Sequence, residues 1–492
     1  MPHPRSKVAA ISAVAISFAT IFALSASFAF AQTSGPVAYI YVSSNYSGSN
    51  DHVVGYAASA NGQLTQISGS PWADNLSYLA NNGTYLFGST NIANDLGKNI
   101  FSYRVESNGA LKYIGATNIQ SAGTQNACNQ ANNLLLDHNG DYLYVFVRQA
   151  DCNSEVAYQS FAVNKSTGLL NYTGVSQPNA FSLGYPLTML ADNNYAYAGG
   201  NGAEDDEICG FVKAQSGNLV DLNCNTAWPG TAGQPSGSNG DVRSITADPT
   251  NHMAAIMAYT DAYTGAIIAT KISTIAVDTT NGSQSTSSTY SNMPTTEVTG
   301  VQSFEMAPSG KLLAVGGQNG IQIFNFNPNG QATANTGLIT SAPITDLYWD
   351  NSNHLYAISN ADNALHVFTV TAKGATEAPG SPYSIPRPVA MTGHSVVSSS
   401  TGCPAPSTNG INVCSPAENA TVSSPVFINA AATGSGGIYR FELWNGSTKL
   451  LSEDNGIMDQ SISLAAGTYH LIFDARTSSG AHEYATRDIT VK

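Results

Sequence analysis

Tyr39-Ile40-Tyr41-Val42-Ser43-Ser44-Asn45 is the stretch that decides how the rest of the chain is read. It is a β-prone strand of aromatic and β-branched residues. A strand of the same kind begins again at Tyr85, Tyr142, Tyr195, Met253, Leu312 and Leu355, at intervals of 43 to 59 residues. Six of the seven copies follow a shorter apolar strand and a polar turn, as in Leu134-Leu135-Leu136-Asp137-His138-Asn139-Gly140 and Phe304-Glu305-Met306-Ala307-Pro308-Ser309-Gly310. Most are followed by an alternating strand such as Ile321-Gln322-Ile323-Phe324-Asn325-Phe326, then a glycine turn and a last strand, as in Asn61-Gly62-Gln63-Leu64-Thr65-Gln66-Ile67. No stretch keeps a helical period. Four strands per repeat at this interval read as the blades of a β-propeller, which bury their faces against one another around an axis. Seven copies predict seven blades. The first copy has no inner strand before it; Pro388-Val389-Ala390-Met391-Thr392 is the matching piece, so the far end of the propeller should pair with Tyr39–Asn45 and close the ring.

The wording of these repeats resembles the lactonase family of seven-bladed propellers, the 6-phosphogluconolactonase-like group. The likeness lies in Tyr39–Asn45, Val54-Gly55-Tyr56, Gly62-Gln63-Leu64-Thr65 and Ser68-Gly69-Ser70-Pro71, and it extends over about residues 36–397. It implies the fold more firmly than the activity, because it sits in strands and turns.

Around the propeller, the N-terminus reads as a secretory signal peptide, residues 1–31: Arg5 and Lys7, an apolar run from Val8 to Phe30, then Ala29-Phe30-Ala31. The alternative is an uncleaved membrane anchor, since the run is long enough to span. Cleavage would leave no stable membrane insertion and place the chain in the periplasm or outside the cell. The six cysteines then lie in an oxidising compartment. Cys209 and Cys224 flank the turn Gln215-Ser216-Gly217-Asn218 almost symmetrically and should face each other across a hairpin; Cys403 pairs with Cys414, and Cys128 is left to Cys152. Residues 32–397 form the propeller and 398–409 a Ser/Thr/Pro/Gly-rich linker. Residues 410–492 hold alternating strands spaced like an immunoglobulin-like β-sandwich. Within it, Cys414-Ser415-Pro416, Val422–Pro425 and Leu464–Ala475 resemble bacterial immunoglobulin-like modules, usually spacers or adhesive units. His470 reads there as a strand-face residue.

Composition narrows the function. Only 10% of the 492 residues are charged, and the net charge of −14 becomes −16 once Arg5 and Lys7 leave with the signal peptide. That argues against a nucleic acid or polyphosphate partner, which needs clustered cations. Members of the resembled family with lactonase activity carry two histidines before an early inner strand, which fall here on Gln130 and Asn132. They also carry a Glu opening a later inner strand, here Ser303, and an Arg after the next strand, here Gln318. Glu305 lies two residues off the Glu position and would need a local bulge to serve as a catalytic residue. Lactone opening requires a group that activates water and one that steadies developing charge, and the family's own set does not carry over.

Three of the four propeller arginines, Arg148, Arg243 and Arg387, map to the rim where the inner strands begin. With Asn132, Ser303 and Gln318 they make a candidate mouth for a small anion, since a forked guanidinium suits a carboxylate. Glu204-Asp205-Asp206-Glu207 is a weak candidate for Ca²⁺; no other metal or cofactor is expected. The sequence therefore predicts an exported, non-catalytic propeller that binds a small anion, a glycan or a protein at the top of its channel. The alternative is a lactone hydrolase.

Overall fold

The computed structural model describes residues 35–492 except 45–51, 74–75, 91–97, 120–129, 149–155, 177–182, 201–207, 226–232, 372, 397–402, 423–425, 436–437, 454–455, 463 and 478–479. The described residues contain strands and turns and no helix. Short apolar runs broken by Asn, Asp, Ser and Gly leave no stretch long enough for another outcome.

Among the described residues, seven antiparallel sheets precede residue 397. Sheet 1 runs outward in the order Pro388–Ser395, Ala38–Ser44, His52–Ala58, Leu64–Gln66. Sheet 2 runs from Tyr78–Asn81 to Leu111–Asn118, sheet 3 from Gln130–Leu136 to Leu170–Ser176, and sheet 4 from Leu183–Met189 to Leu219–Asn225. Sheet 5 runs from Ser238–Ala247 to Ser283–Ser285, sheet 6 from Val301–Met306 to Thr333–Leu338, and sheet 7 from Asp346–Trp349 to Gly374–Glu377. Each first strand lies beside the first strand of the next sheet, and that of sheet 7 lies beside Pro388–Ser395. The expected closure is present strand by strand: Tyr39 stands opposite His394, Tyr41 opposite Thr392 and Ser43 opposite Ala390.

The core follows the same logic. It consists of separate apolar interfaces between consecutive sheets, such as Phe87, Ile100, Leu143 and Val145 between sheets 2 and 3. Another joins Ile40 and Val42 of sheet 1 to Tyr356 and Ile358 of sheet 7. The repeated tyrosines explain part of the fit. Tyr41, Tyr144 and Tyr197 are buried, and each donates its hydroxyl to the carbonyl of a turn glycine in the next sheet, Gly109, Gly217 and Gly282, at 2.7 to 3.0 Å. Gly109 and Gly217 adopt left-handed φ of 81° and 83° while an aromatic ring presses on the backbone, which excludes any side chain there.

The C-terminal region is a sandwich. One sheet contains Gly410–Ser415, Val426–Thr433 and Ile457–Ile462; the other contains Ala420–Val422, His482–Val491, Gly467–Thr477, Ile438–Asn445 and Thr448–Glu453. Val413, Ile428, Phe441, Met458, Leu471 and Phe473 fill the space between them. Cys403 and Cys414 are disulfide-bonded as expected. In sheet 4, Cys209 is disulfide-bonded and stands opposite Cys224 in the strand register. Cys128 and Cys152 lie outside the described residues.

Candidate functional site

The first strands of the sheets share a local irregularity. In sheets 3, 5 and 6 the register with the second strand slips by one residue, leaving Asn132, Arg243 and Gln302 as the extra residue of a β-bulge. In sheet 1 the slip falls at Val389. A bulge bends its strand and re-aims the side chains beside it, so the rim where these strands begin is shaped by repeated bulges. The bulge at Gln302 precedes both Ser303 and Glu305 and leaves them in regular alternation, two residues apart.

The sequence-derived residues fare differently at this rim. Arg243 makes an ion pair with Asp241 two residues earlier, at 2.6 Å, so its charge is offset within its own strand. Arg387 is exposed, with a left-handed φ of 43° held by an N–H to Asn363 Oδ1 hydrogen bond of 2.8 Å. Gln318 is exposed in the turn after Leu312–Gly317. The side chains of Gln130 and Arg148, paired with each other in the sheet 3 register, lie outside the described residues. So does the whole run Glu204–Glu207. Among the described residues no group of three His, Cys, Asp or Glu side chains could hold a metal ion.

Ser303 and Glu305 are brought to a partner that sequence reasoning missed. Strand alternation puts both on the face opposite Phe304, which is buried against Ala254 and Ile256 of sheet 5. Beside them is Asp346, the first residue of sheet 7. Asp346 Oδ2 accepts the Met391 N–H of the closing strand at 2.9 Å, Oδ1 accepts the Leu347 N–H at 2.9 Å, and the Ser303 hydroxyl donates to the same carboxylate. Three neighbouring first strands thus meet at one carboxylate.

Burial pushes the Glu305 carboxyl up to about 8, and the negative charge of Asp346 adds to the rise. Burial also raises Asp346, to about 6, against the pull of its three hydrogen bonds, which favour the ionised form. Two buried carboxyls side by side resist ionising together, so the pair holds a proton more tightly than an isolated acid does. Both keep some accessible surface. An acceptor and a donor of protons side by side is the arrangement that general acid–base chemistry needs. Asp346 has a signal in the sequence, for it occupies in sheet 7 the repeat position that Ser303 occupies in sheet 6.

Comparison with known proteins agrees with this architecture. Residues 410–485 match the model of a bacterial Ig domain family. The chain is similar in structure to a candidate 6-phosphogluconolactonase from Bacteroides fragilis, with 15% identity, TM-score 0.52, 74% of this chain and 99% of that one covered. It is similar to a protein from Lactobacillus plantarum, with 13% identity, TM-score 0.53 and 73% and 99% covered. It is also similar to the periplasmic gluconolactonase PpgL of Pseudomonas aeruginosa, with 15% identity, TM-score 0.54 and 73% and 99% covered. No curated protein matches the chain in sequence. At such identities the likeness speaks for fold alone: the chain has a β-propeller fold like that of these lactonase-like structures, followed by a region, residues 410–485, that matches a bacterial Ig domain.

Proposed function

We propose that this protein is an exported, seven-bladed lactonase-like propeller that hydrolyses an uncharged lactone at the bulged rim of its ring. The observation that carries the reading is the carboxyl pair Glu305–Asp346 on adjacent first strands, with Asp346 held by Ser303 and the Met391 N–H and Glu305 pushed up by burial and by the charge of Asp346. Asp346 takes a proton from water, and the resulting hydroxide adds to the lactone carbonyl carbon. The tetrahedral adduct collapses, the ring C–O bond breaks, and Glu305 gives its proton to the leaving alkoxide. The product is an open hydroxy acid; the proton taken up by Asp346 returns to Glu305 through solvent, and the cycle closes. Ser303 and the Met391 N–H hold Asp346 in its ionised form.

The uncharged substrate follows from the charges. Arg243 is offset by Asp241, and Asp346 is itself anionic, so an extra phosphate would meet repulsion beside the pair. Arg387 at the rim suits the carboxylate that appears when the ring opens, which gives the anion expected from the sequence a place as product. Export is supported by Arg5, Lys7 and the apolar run to Phe30, by the disulfide-bonded cysteines, and by the periplasmic location in the name of one structural neighbour.

The test is pH-stat hydrolysis of D-glucono-1,5-lactone by the exported chain, with the uncatalysed rate subtracted. The reading predicts a bell-shaped kcat/KM with limbs near 6 and 8, and loss of kcat by about 100-fold or more in both Asp346→Asn and Glu305→Gln. Turnover that ignores both substitutions would overturn it. An exported chain that binds but never hydrolyses the lactone would return the protein to the non-catalytic reading.

A further inference from the structure

A second cluster of charged and aromatic side chains lies on the C-terminal sandwich, far along the sequence from the carboxyl pair. It begins at Tyr484, which is 63% exposed and stacks on His482 with the rings 5.8 Å apart and 16° from parallel. His482 Nδ1 meets Asp474 Oδ1 at 2.8 Å. Arg476 links Asp474 (Nε to Oδ2, 3.3 Å) to Glu442 (Nη2 to Oε2, 2.7 Å). Lys449 reaches the other Glu442 oxygen at 3.3 Å and lies over the Trp444 ring, 5.6 Å from its centre.

These seven side chains cross four neighbouring strands, His482–Val491, Gly467–Thr477, Ile438–Asn445 and Thr448–Glu453. The register sets Tyr484 opposite Asp474 and Asp474 opposite Glu442, in one row, with Trp444 opposite Lys449. Alternation places them all on the face away from Phe441, Leu443 and Phe473, which are buried in the sandwich core. Glu442 and Asp474 are themselves buried beneath the side chains that pair with them. The two strand spacings that separate the Tyr484 strand from the Trp444 strand are together about 10 Å.

We propose that this face is a binding surface for a neutral polysaccharide, with Tyr484 and Trp444 as stacking platforms and the network between them as hydrogen-bond partners for sugar hydroxyls. Three features select that occupant. Exposed Tyr484 and half-buried Trp444, each with one ring face covered by His482 or Lys449, are flat apolar groups of the kind a pyranose ring packs on. Arg440, Arg476 and Lys449 are matched by Glu442, Asp474 and Asp488 on the same face, so the face has no excess charge with which to draw an acidic polymer or a nucleic acid. The network is already tied together by four ion pairs, so ordering it on binding costs little. A separate pair, His470 with Asp488 at 2.6 Å, lies further along His482–Val491 and Gly467–Thr477.

The experiment is isothermal titration of the whole exported chain with cellohexaose, maltohexaose and chitohexaose, repeated with alginate as the acidic comparison. The proposal expects saturable binding of at least one neutral hexasaccharide, weakened about tenfold or more in Tyr484→Ala and in Trp444→Ala, each replacing one platform. Tyr484→Phe, which keeps the ring, should retain most of the affinity and guards against a folding effect. Binding of alginate alone, no binding of any neutral hexasaccharide, or binding indifferent to both alanine substitutions would each overturn it.

Discussion

Asp346 and Asp350 stand four residues apart, at and just beyond the two ends of one strand, and they live in opposite conditions. Asp350 is fully buried and fully supplied: its Oδ1 accepts the backbone N–H groups of Ser352 and His354, and its Oδ2 meets His354 Nδ1 at 2.7 Å and the Tyr356 hydroxyl at 2.9 Å. Asp346 also takes backbone and hydroxyl donors, yet its neighbour is another carboxyl, Glu305. The difference teaches what each does. A saturated acid holds a turn and the strand after it; an acid set against an acid keeps proton affinity in reserve, a cost that folding alone does not require.

The largest effect should come from the saturated side. Asp350→Ala strands a buried histidine, a tyrosine hydroxyl and two amides, so the propeller should lose on the order of 3–5 kcal/mol, read by chemical denaturation. Asp346→Asn should cost far less. Equal losses in the two variants would erase the contrast between them.

Next comes a stability effect with a defined pH window. The proton affinity of Glu305 is raised on folding, so the folded chain holds a proton that the unfolded chain has released above about pH 4.5. The group therefore disfavours the native state increasingly from there up to about pH 8. Glu305→Gln removes that burden. Its stability should match the parent near pH 4 and exceed it at pH 9 by roughly 2–4 kcal/mol. A gain independent of pH would mean that packing, not the proton, sets the difference.

Two smaller effects sharpen the Asp346 side. Ser303→Ala deletes a donor that favours the ionised form, so the acidic limb of any pH–rate profile should move to higher pH, by about one unit or less. An unmoved limb would remove Ser303 from the pair. Arg243→Ala should change stability by less than about 1 kcal/mol, because its partly exposed pair with Asp241 is worth little. A larger loss would show that Arg243 has a structural duty at the rim.

The fold was legible because its rules are local. The Tyr39, Tyr85, Tyr142 and Tyr195 strands, their alternating neighbours and the Asn-Gly and Ser-Gly turns announce the blade one at a time. The unpaired start and the spare segment Pro388–Thr392 announce the closure, which the Tyr41–Thr392 register bears out. The candidate site was legible only in part. Glu305 could be named as a residue displaced from where a family Glu would stand, but the bulge at Gln302 in its strand could not be placed. A bulge adds one residue to a strand without any obligatory change of residue type, so alternation alone does not reveal it. Asp346 escaped because its meaning lies in contacts with Ser303, Glu305 and Met391, on two other sheets. For the arginines, positions along the strands were readable, while the offset of Arg243 by Asp241 depended on side-chain geometry.

Carboxyl ¹³C NMR titration of Glu305, in the native chain and in Asp346→Asn, tests the central claim most directly. The account predicts a Glu305 midpoint near 8 in the native chain, falling when its charged neighbour becomes an amide. A Glu305 carboxyl that titrates in the ordinary range of about 4 to 5 in both proteins would contradict it.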